Sequence, residues 1–398
     1  MSVEKFGPVR VGLLGIGTVG GGTFEVLTRN QAEITRRAGR RIEITRVADL
    51  DVARARALVG ERARVDSDAR ALVSDPEIDI VIELIGGYGI ARELVMAAIE
   101  NGKHVVTANK ALLAVHGNEI FAAASRKGVM VAFEAAVAGG IPIIKALREG
   151  LTANRIDWIA GIINGTTNFI LTEMRDKGLA FDAVLGEAQR LGYAEADPTF
   201  DIEGYDTAHK LSILASLSFG TEIAPDEVFV EGITSITSAD IKVAADLGYK
   251  IKLLGFAQRL ADGIEQRVHP TLVPRGSAIA GVDGVMNAVA LETDHVRELL
   301  LAGPGAGGPP TASSVLSDIL DIGRGTRVPP LGVPSAELAP YRQAPMRAHE
   351  GGYYIRLNAR DGKVIGGGGD DSYAVYSPGD VVVEQSGAGT DWVGSYLA

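Results

Sequence analysis

The chain has 398 residues, 46% of them hydrophobic, with six histidines, no cysteine and a formal net charge of −11 at pH 7. That length allows two or three domains around a large core, and the missing cysteines remove disulfides, thiolate metal sites and any thiol nucleophile. The acidic balance, with no Lys or Arg run interleaved with aromatics, argues against a nucleic-acid partner, and no segment is long and apolar enough to span a bilayer.

The first predicted element is a strand over Val9–Leu14. Because it follows MSVEKFGP at once, the N-terminus lacks the basic and apolar regions of a signal peptide, and a cytoplasmic location is expected. The strand runs into Gly15-Ile16-Gly17-Thr18-Val19-Gly20, the G-x-G-x-x-G order that sets backbone N–H groups and a helix N-terminus against a pyrophosphate. Strand-like runs recur at Ile42–Val47, Ile80–Ile85, His104–Thr107 and Val129–Phe133, with helical stretches such as Ile90–Gly102 between them. Such alternation predicts an α/β unit with a Rossmann-type, doubly wound parallel sheet that binds a dinucleotide.

Asp49, just past the second strand, suits a ribose 2′-hydroxyl and NAD, whereas Arg54 and Arg56 would suit the extra phosphate of NADP, so both cofactors stay open. Thr107-Ala108-Asn109-Lys110 follows the fourth predicted strand and emerges at the carboxyl edge, where ligands of open sheets bind. Lys110 reads either as a site residue or as a solvated lysine at a helix start. Glu134 to Ile141 contains only a Gly-Gly loop before Pro142.

From Ile143 the rhythm breaks into helices at Ala183–Leu191 and Thr207–Phe219 and strand-like runs at Ile156–Ile163, Gln266–Leu272 and Asn287–Glu292, which predicts an α+β second domain. Between them lie Glu195, Asp197, Asp201, Glu203 and Asp206 around a single Lys210. Asp206 and Lys210 stand one helical turn apart, and a lysine on an apolar helix must be paired or shift its pKa. The pair reads as a structural ion pair or as the heart of a polar active site. Gly303 to Ala312, rich in Gly and Pro, is a hinge or a ligand cradle that enters a helix at Ala312–Gly323. Beyond Pro340 the chain is acidic, has four glycines in a row at Gly366–Gly369 and lacks core-forming periodicity.

Ala188, Gly192, Tyr193, Ala194, Asp197, Pro198, Asp201, Ile202, Gly204, Asp206 and Lys210 fall at the spacings of the homoserine dehydrogenase signature, supported by Gly161–Leu171 (GIINGTTNFIL) and Thr107–Ala114 (TANKALLA). The chain therefore resembles that family. The resemblance implies NAD(P)-dependent interconversion of L-homoserine and L-aspartate 4-semialdehyde, within threonine, methionine and isoleucine biosynthesis. It implies Lys210 as the proton donor, oriented by Asp206 and assisted by Lys110. Glu195 and Asp206 are expected to bind substrate, with Asp201 a further acid of the site. Gly15 to Gly20, Asp49, Thr107, Lys110, Gly305 and Gly307 are expected to line the cofactor. A sodium ion is implied on the backbone carbonyls of Glu134, Val137, Gly139 and Ile141, and a sheet-to-sheet homodimer or dimer of dimers is implied for the second domain.

The expected division is 1–140 for the dinucleotide-binding domain, rejoined by about 311–340, 141–310 for the catalytic and dimerisation domain, and 341–398 for a degenerate ACT-like or poorly ordered tail. A semialdehyde dehydrogenase that makes an acyl phosphate passes through a cysteine thioester, which this chain cannot form. A silent nucleotide sensor on the same scaffold would have no need of an acid-flanked lysine.

Overall fold

The computed structural model describes residues 7–344, Tyr354 and four short strands, Lys363–Ile365, Ser372–Val375, Val381–Val383 and Trp392–Ser395. The first sheet contains β1 (Val9–Leu14), β2 (Ile42–Ala48), β3 (Arg64–Asp66), β4 (Ile80–Glu83), β5 (His104–Thr107) and β6 (Val131–Ala132). All its pairs are parallel, in the order β3-β2-β1-β4-β5-β6. Apart from Arg10, β1 and β4 are buried on both faces because helices cover both sides, the usual state of a parallel sheet. The strand order reverses between β1 and β4, and that switch point opens the crevice where such sheets take ligands. β3, three residues long with one buried, was too short and polar to leave a periodic signal, so Thr107 ends the fifth strand rather than the fourth.

The second sheet contains β7 (Ile156–Ile162), β8 (Phe229–Val230), β9 (Tyr249–Leu260), β10 (Gly263–Pro274), β11 (Met286–Thr293) and β12 (Arg297–Pro304), in the order β12-β11-β7-β9-β10-β8. It is antiparallel except for β10 with β8. Helices Gly165–Lys177, Tyr205–Phe219 and Ser238–Asp246 pack on it. β9 and β12 are additions to the elements expected from sequence. Lys250 and Lys252 break the apolar reading of β9, and the C-terminal end of β12 takes up Gly303 and Pro304, which shortens the predicted glycine loop to Gly305–Gly307.

Helix Gly308–Arg324 then crosses back to the first sheet. Its Val315 and Ile319 join the core of β1 and β2, and a Cβ on Gly22 of helix Thr18–Arg29 would lie 3.1 Å from the Gly308 backbone, so the two helices approach closely at a pair of glycines. The Arg324 guanidinium donates to the Arg37 carbonyl at 3.0 Å. Residues 341–344, expected to begin the tail, run instead beside β10: Ala344 N–H and the Tyr341 hydroxyl both donate to the Ile264 carbonyl. Most of the remaining tail lies outside the described residues. Its four short strands pair in parallel, Lys363–Ile365 with Val381–Val383 and Ser372–Val375 with Trp392–Ser395.

Candidate active site

Helix Tyr205–Phe219 starts after Gly204, whose φ of +89° turns the chain out of the preceding short helix. This puts Asp206 in the first turn, where the helix dipole favours a carboxylate. Asp206 is 2% exposed. Its Oδ2 accepts from Lys210 Nζ at 2.6 Å and from Asn164 Nδ2 at 2.8 Å, and its Oδ1 meets Lys110 Nζ at 3.1 Å. Burial alone would raise the Asp206 carboxyl, but Lys210 and Lys110 hold it well below the usual carboxylate range.

Lys210 Nζ also donates to the Ile163 carbonyl at 2.8 Å. Two of its three N–H bonds are thus committed, and one is left for a reacting oxygen. Burial pushes its pKa down, whereas Asp206 pushes that of Lys110 up. Asp201 accepts the second amide proton of Asn164 at 2.8 Å, and burial together with Asp206 raises its carboxyl. The structure therefore brings Lys110, Asp201, Asp206 and Lys210 into one cluster. Glu195 stands apart on the exposed loop before Pro198, near enough for its charge to act on Lys110, with no side-chain hydrogen bond to the cluster among the described residues.

The sequence alone gives no signal for the Ile163 carbonyl, and for Asn164 only that of a helix cap. Asn164 caps helix Gly165–Lys177 by accepting from Thr167 N–H at 2.9 Å, and Asn before a helix start is a recognisable signal. Its second task, bridging two acids, arises only from tertiary contact.

The glycine turn fits a dinucleotide. Gly15 has φ +87°, and a Cβ there would lie 2.8 Å from the Leu84 carbonyl oxygen; a Cβ on Gly20 would lie 2.2 Å from the Gly15 carbonyl oxygen. A Cβ on Gly17 would meet nothing within 4 Å, so it would project into open space beside the N-terminus of helix Thr18–Arg29, which has no side-chain cap. The free N–H groups of that first turn suit a pyrophosphate. Helix Gly308–Arg324 also starts without a side-chain cap, after Gly307 at φ +104°, and its Gly308 packs over Thr18. Thr18 is exposed, while Ile16 is a core residue whose N–H donates to Asp49 Oδ2 at 2.7 Å. Asp49 Oδ1 accepts from Asp51 N–H at 2.9 Å. Arg54 and Arg56 are exposed on the helix that follows.

Gly305 is wedged between two walls. A Cβ on it would lie 2.0 Å from the Asn287 amide, and a Cβ on Gly139 would lie 2.3 Å from the Gly305 carbonyl oxygen. The Gly140 N–H donates to the Pro304 carbonyl at 3.0 Å, so the returning loop rests on the Glu134–Ile141 turn. In that turn Ala138 and Gly139 have φ of +56° and +49°. The Gly139 and Ile141 carbonyls each accept one hydrogen bond, from the Ser314 hydroxyl and from Ile143 N–H, and each oxygen keeps a second lone pair for a hard cation. The Glu134 side chain points elsewhere, accepting from Ile144 and Lys145 N–H, and burial beside Asp318 lifts its carboxyl to about 7. Among the described residues, no group of three or more His, Cys, Asp or Glu could hold a metal ion, and no helix is long and apolar enough to cross a membrane.

Residues 142–320 match the family model described as homoserine dehydrogenase, and residues 15–134 match the homoserine dehydrogenase NAD binding domain. A homoserine dehydrogenase of Pseudomonas aeruginosa is 58% identical over 367 residues, covering 89% of this chain and 82% of its own. Among solved structures, a homoserine dehydrogenase from Thiobacillus denitrificans superposes with a TM-score of 0.83 at 61% identity, covering 86% of this chain and 80% of that one. A hyperthermophilic archaeal homoserine dehydrogenase in complex with NADPH superposes with a TM-score of 0.68 at 28% identity, over 79% of this chain and 97% of that one.

Proposed function

The chain belongs to the homoserine dehydrogenase family, and from that premise we propose how its residues carry out the interconversion of L-homoserine and L-aspartate 4-semialdehyde. A bound nicotinamide dinucleotide supplies the hydride in the reducing direction and accepts it in the other. Lys210 handles the proton. Its uncommitted N–H donates to the oxygen on which negative charge develops during reduction, and its neutral amine takes the hydroxyl proton back during oxidation. Asp206 and the Ile163 carbonyl hold the amine in place, and Lys110 adds a second positive charge from the first domain. Glu195 and Asp206 bind the ammonium and hydroxyl of the substrate, and Asp201 completes the acidic wall.

Gly15, Gly17, Thr18, Val19 and Gly20 cradle the pyrophosphate, with Ile16 anchoring the turn through Asp49. Thr107, Lys110, Gly305 and Gly307 enclose the nicotinamide end. Both NAD and NADP fit the adenosine end, Asp49 favouring the first and Arg54 and Arg56 the second. The carbonyls of Glu134, Val137, Gly139 and Ile141 would hold sodium and stiffen the turn under Gly305. The enzyme works as a homodimer in the route to threonine, methionine and isoleucine.

The half-buried Lys210, tied to Asp206 and the Ile163 carbonyl while Lys110 reaches the other Asp206 oxygen, carries this reading. An acyl-phosphate-forming dehydrogenase is ruled out because there is no cysteine to form its thioester. Lys210→Ala should lower kcat by about a hundredfold to ten-thousandfold with a small change in the KM for homoserine; turnover near the wild-type level refutes the assignment.

A further inference from the structure

Lys110 is the one lysine of the cluster that comes from the first domain, and something must aim it. The residue before it, Asn109, caps its helix by accepting from Leu112 N–H at 3.1 Å and also donates from Nδ2 to the Gly87 carbonyl at 2.8 Å. The Asn109 N–H donates to the Thr107 hydroxyl oxygen at 3.0 Å, and that hydroxyl donates in turn to Glu83 Oε2 at 2.7 Å. Glu83 is the last residue of β4 and lies opposite Thr107 in the sheet register. It is fully buried, and its Oε1 accepts from Ile85 N–H at 2.9 Å and Gly86 N–H at 3.1 Å. The hydrogen bonds thus form a closed ring through Glu83, Thr107, Asn109 and Gly87 and back along the chain to Gly86.

A carboxylate is expensive to bury unless its oxygens are satisfied. Three donors satisfy this one: Thr107 at the carboxyl end of β5, and Ile85 and Gly86 in the loop that leaves β4. A core strand has no need of such a group there, since Ile or Val would fill the space and each loop could end independently. What the ring does is lock the two loops into one unit whose free end is Lys110.

We propose that Glu83 is a positioning residue for Lys110: through Thr107 and Asn109 it fixes the lysine so that its ammonium meets Asp206 across the cleft. This rests on the reading of Lys110 and Asp206 as part of the reaction site. A glutamine at 83 offers an oxygen to the two backbone N–H groups but turns an NH2 toward Thr107, whose hydroxyl then loses its acceptor. The bond is lost or reversed, either way leaving the buried hydroxyl proton without its acceptor, while the volume is unchanged.

The test compares Glu83→Gln, Thr107→Val and Thr107→Ser, each alone and in a Lys110→Ala background, by kcat, KM for homoserine, dissociation constant of the reduced nucleotide and melting temperature. Glu83→Gln and Thr107→Val should each lower kcat about tenfold to a hundredfold, the scale of an ångström-sized misplacement. Glu83→Gln should leave nucleotide affinity little changed, and Thr107→Ser, which keeps the hydroxyl, should turn over faster than Thr107→Val. In the Lys110→Ala background, Glu83→Gln should add almost nothing, because the group it aims is gone. Equal losses with and without Lys110, or a fall in melting temperature with kcat of the folded enzyme unchanged, overturn the proposal. Normal turnover of Lys110→Ala alone would instead overturn the reading of the reaction site, and with it the purpose assigned to Glu83. Should Glu83→Gln fail to fold, the Thr107 pair decides alone: Thr107→Val as active as Thr107→Ser also overturns the proposal.

Discussion

Burial lowers the pKa of Lys210 while Asp206, 2.6 Å away, opposes the shift, so the amine titrates below the ordinary lysine value. The sign of its effect differs between the two directions of the reaction. Aldehyde reduction uses the ammonium form and should fall as pH rises through this pKa, whereas homoserine oxidation uses the neutral amine and should climb over the same interval. Lys210→Arg keeps the positive charge at every accessible pH. Its reduction rate, though lower, should lose the alkaline fall, and its oxidation rate should lose the alkaline rise. Limbs that stay where they were in both pH profiles would show that another group is titrating. Two glycines of the first turn separate folding from binding in the same way. Gly15→Ala forces a side chain into a left-handed conformation against the Leu84 carbonyl and should cost about 1–3 kcal/mol of stability. Gly17→Ala projects into open space, so its melting temperature should hold while nucleotide affinity falls about tenfold or more, the equivalent of one hindered phosphate contact. Calorimetry and nucleotide titration of the two variants distinguish these outcomes, and equal effects on both measurements would sink the distinction.

Strand β9 shows what an element can hide from its sequence. Lys252 sits in it at 1% side-chain exposure, donating to Asn168 Oδ1, the Val282 carbonyl and Asp283 Oδ1. Asp283 also receives Arg175 and Lys250, and these cations hold its carboxyl well below the usual range against the effect of burial. Removing one partner of a buried pair leaves a charge uncompensated. Asp283→Ala should therefore destabilise the fold by about 3 kcal/mol, at the low end for such pairs because Asp283 keeps 33% side-chain exposure. Since the folded carboxyl titrates lower than the unfolded one, the wild type should lose this contribution as pH falls below about 4. Denaturant melts at pH 7 and pH 3 check both: the gap between wild type and Asp283→Ala should narrow in acid, and a constant gap contradicts the network. β1, β4 and β5 could be read directly because a sheet covered on both faces leaves a short, mainly apolar run. In β9 two lysines interrupt the run, and the acid that makes them tolerable lies about thirty residues further on. The same limit applies to the site. Asp206 and Lys210 declare themselves by being four residues apart on one helix, whereas Asn164 and the Ile163 carbonyl reach them from 42 and 47 residues away.

The two sheets meet at the cleft where Lys110 joins Asp206 and where the Gly305 loop fills the space between Gly139 and Asn287. Away from that cleft the second sheet has helices Gly165–Lys177, Tyr205–Phe219 and Ser238–Asp246 on one face, while among the described residues the opposite face carries only the short turn Ala278–Gly281. On this face Ile162, Leu254, Ala288 and Ala290 form a small apolar cluster with Trp158 and Leu300, which are only partly buried. Trp158 stacks on Phe256 at 6.3 Å between centroids, and Arg267 lies 5.9 Å from the Phe256 ring. An aromatic pair at the middle of such a patch, with an arginine beside it, has the composition of an interface centre. A homodimer that stacks two of these faces would bury Trp158 against its counterpart, and Trp158→Glu would then place two carboxylates where no water reaches them. Because such desolvated like charges oppose association by several kcal/mol, the variant should sediment as a monomer where the wild type sediments as a dimer. Its far-ultraviolet circular dichroism should be unchanged, since Trp158 contributes to the edge of the monomer's core rather than to its centre. Wild type and variant sedimenting alike, at either mass, would remove the second sheet as the dimer interface.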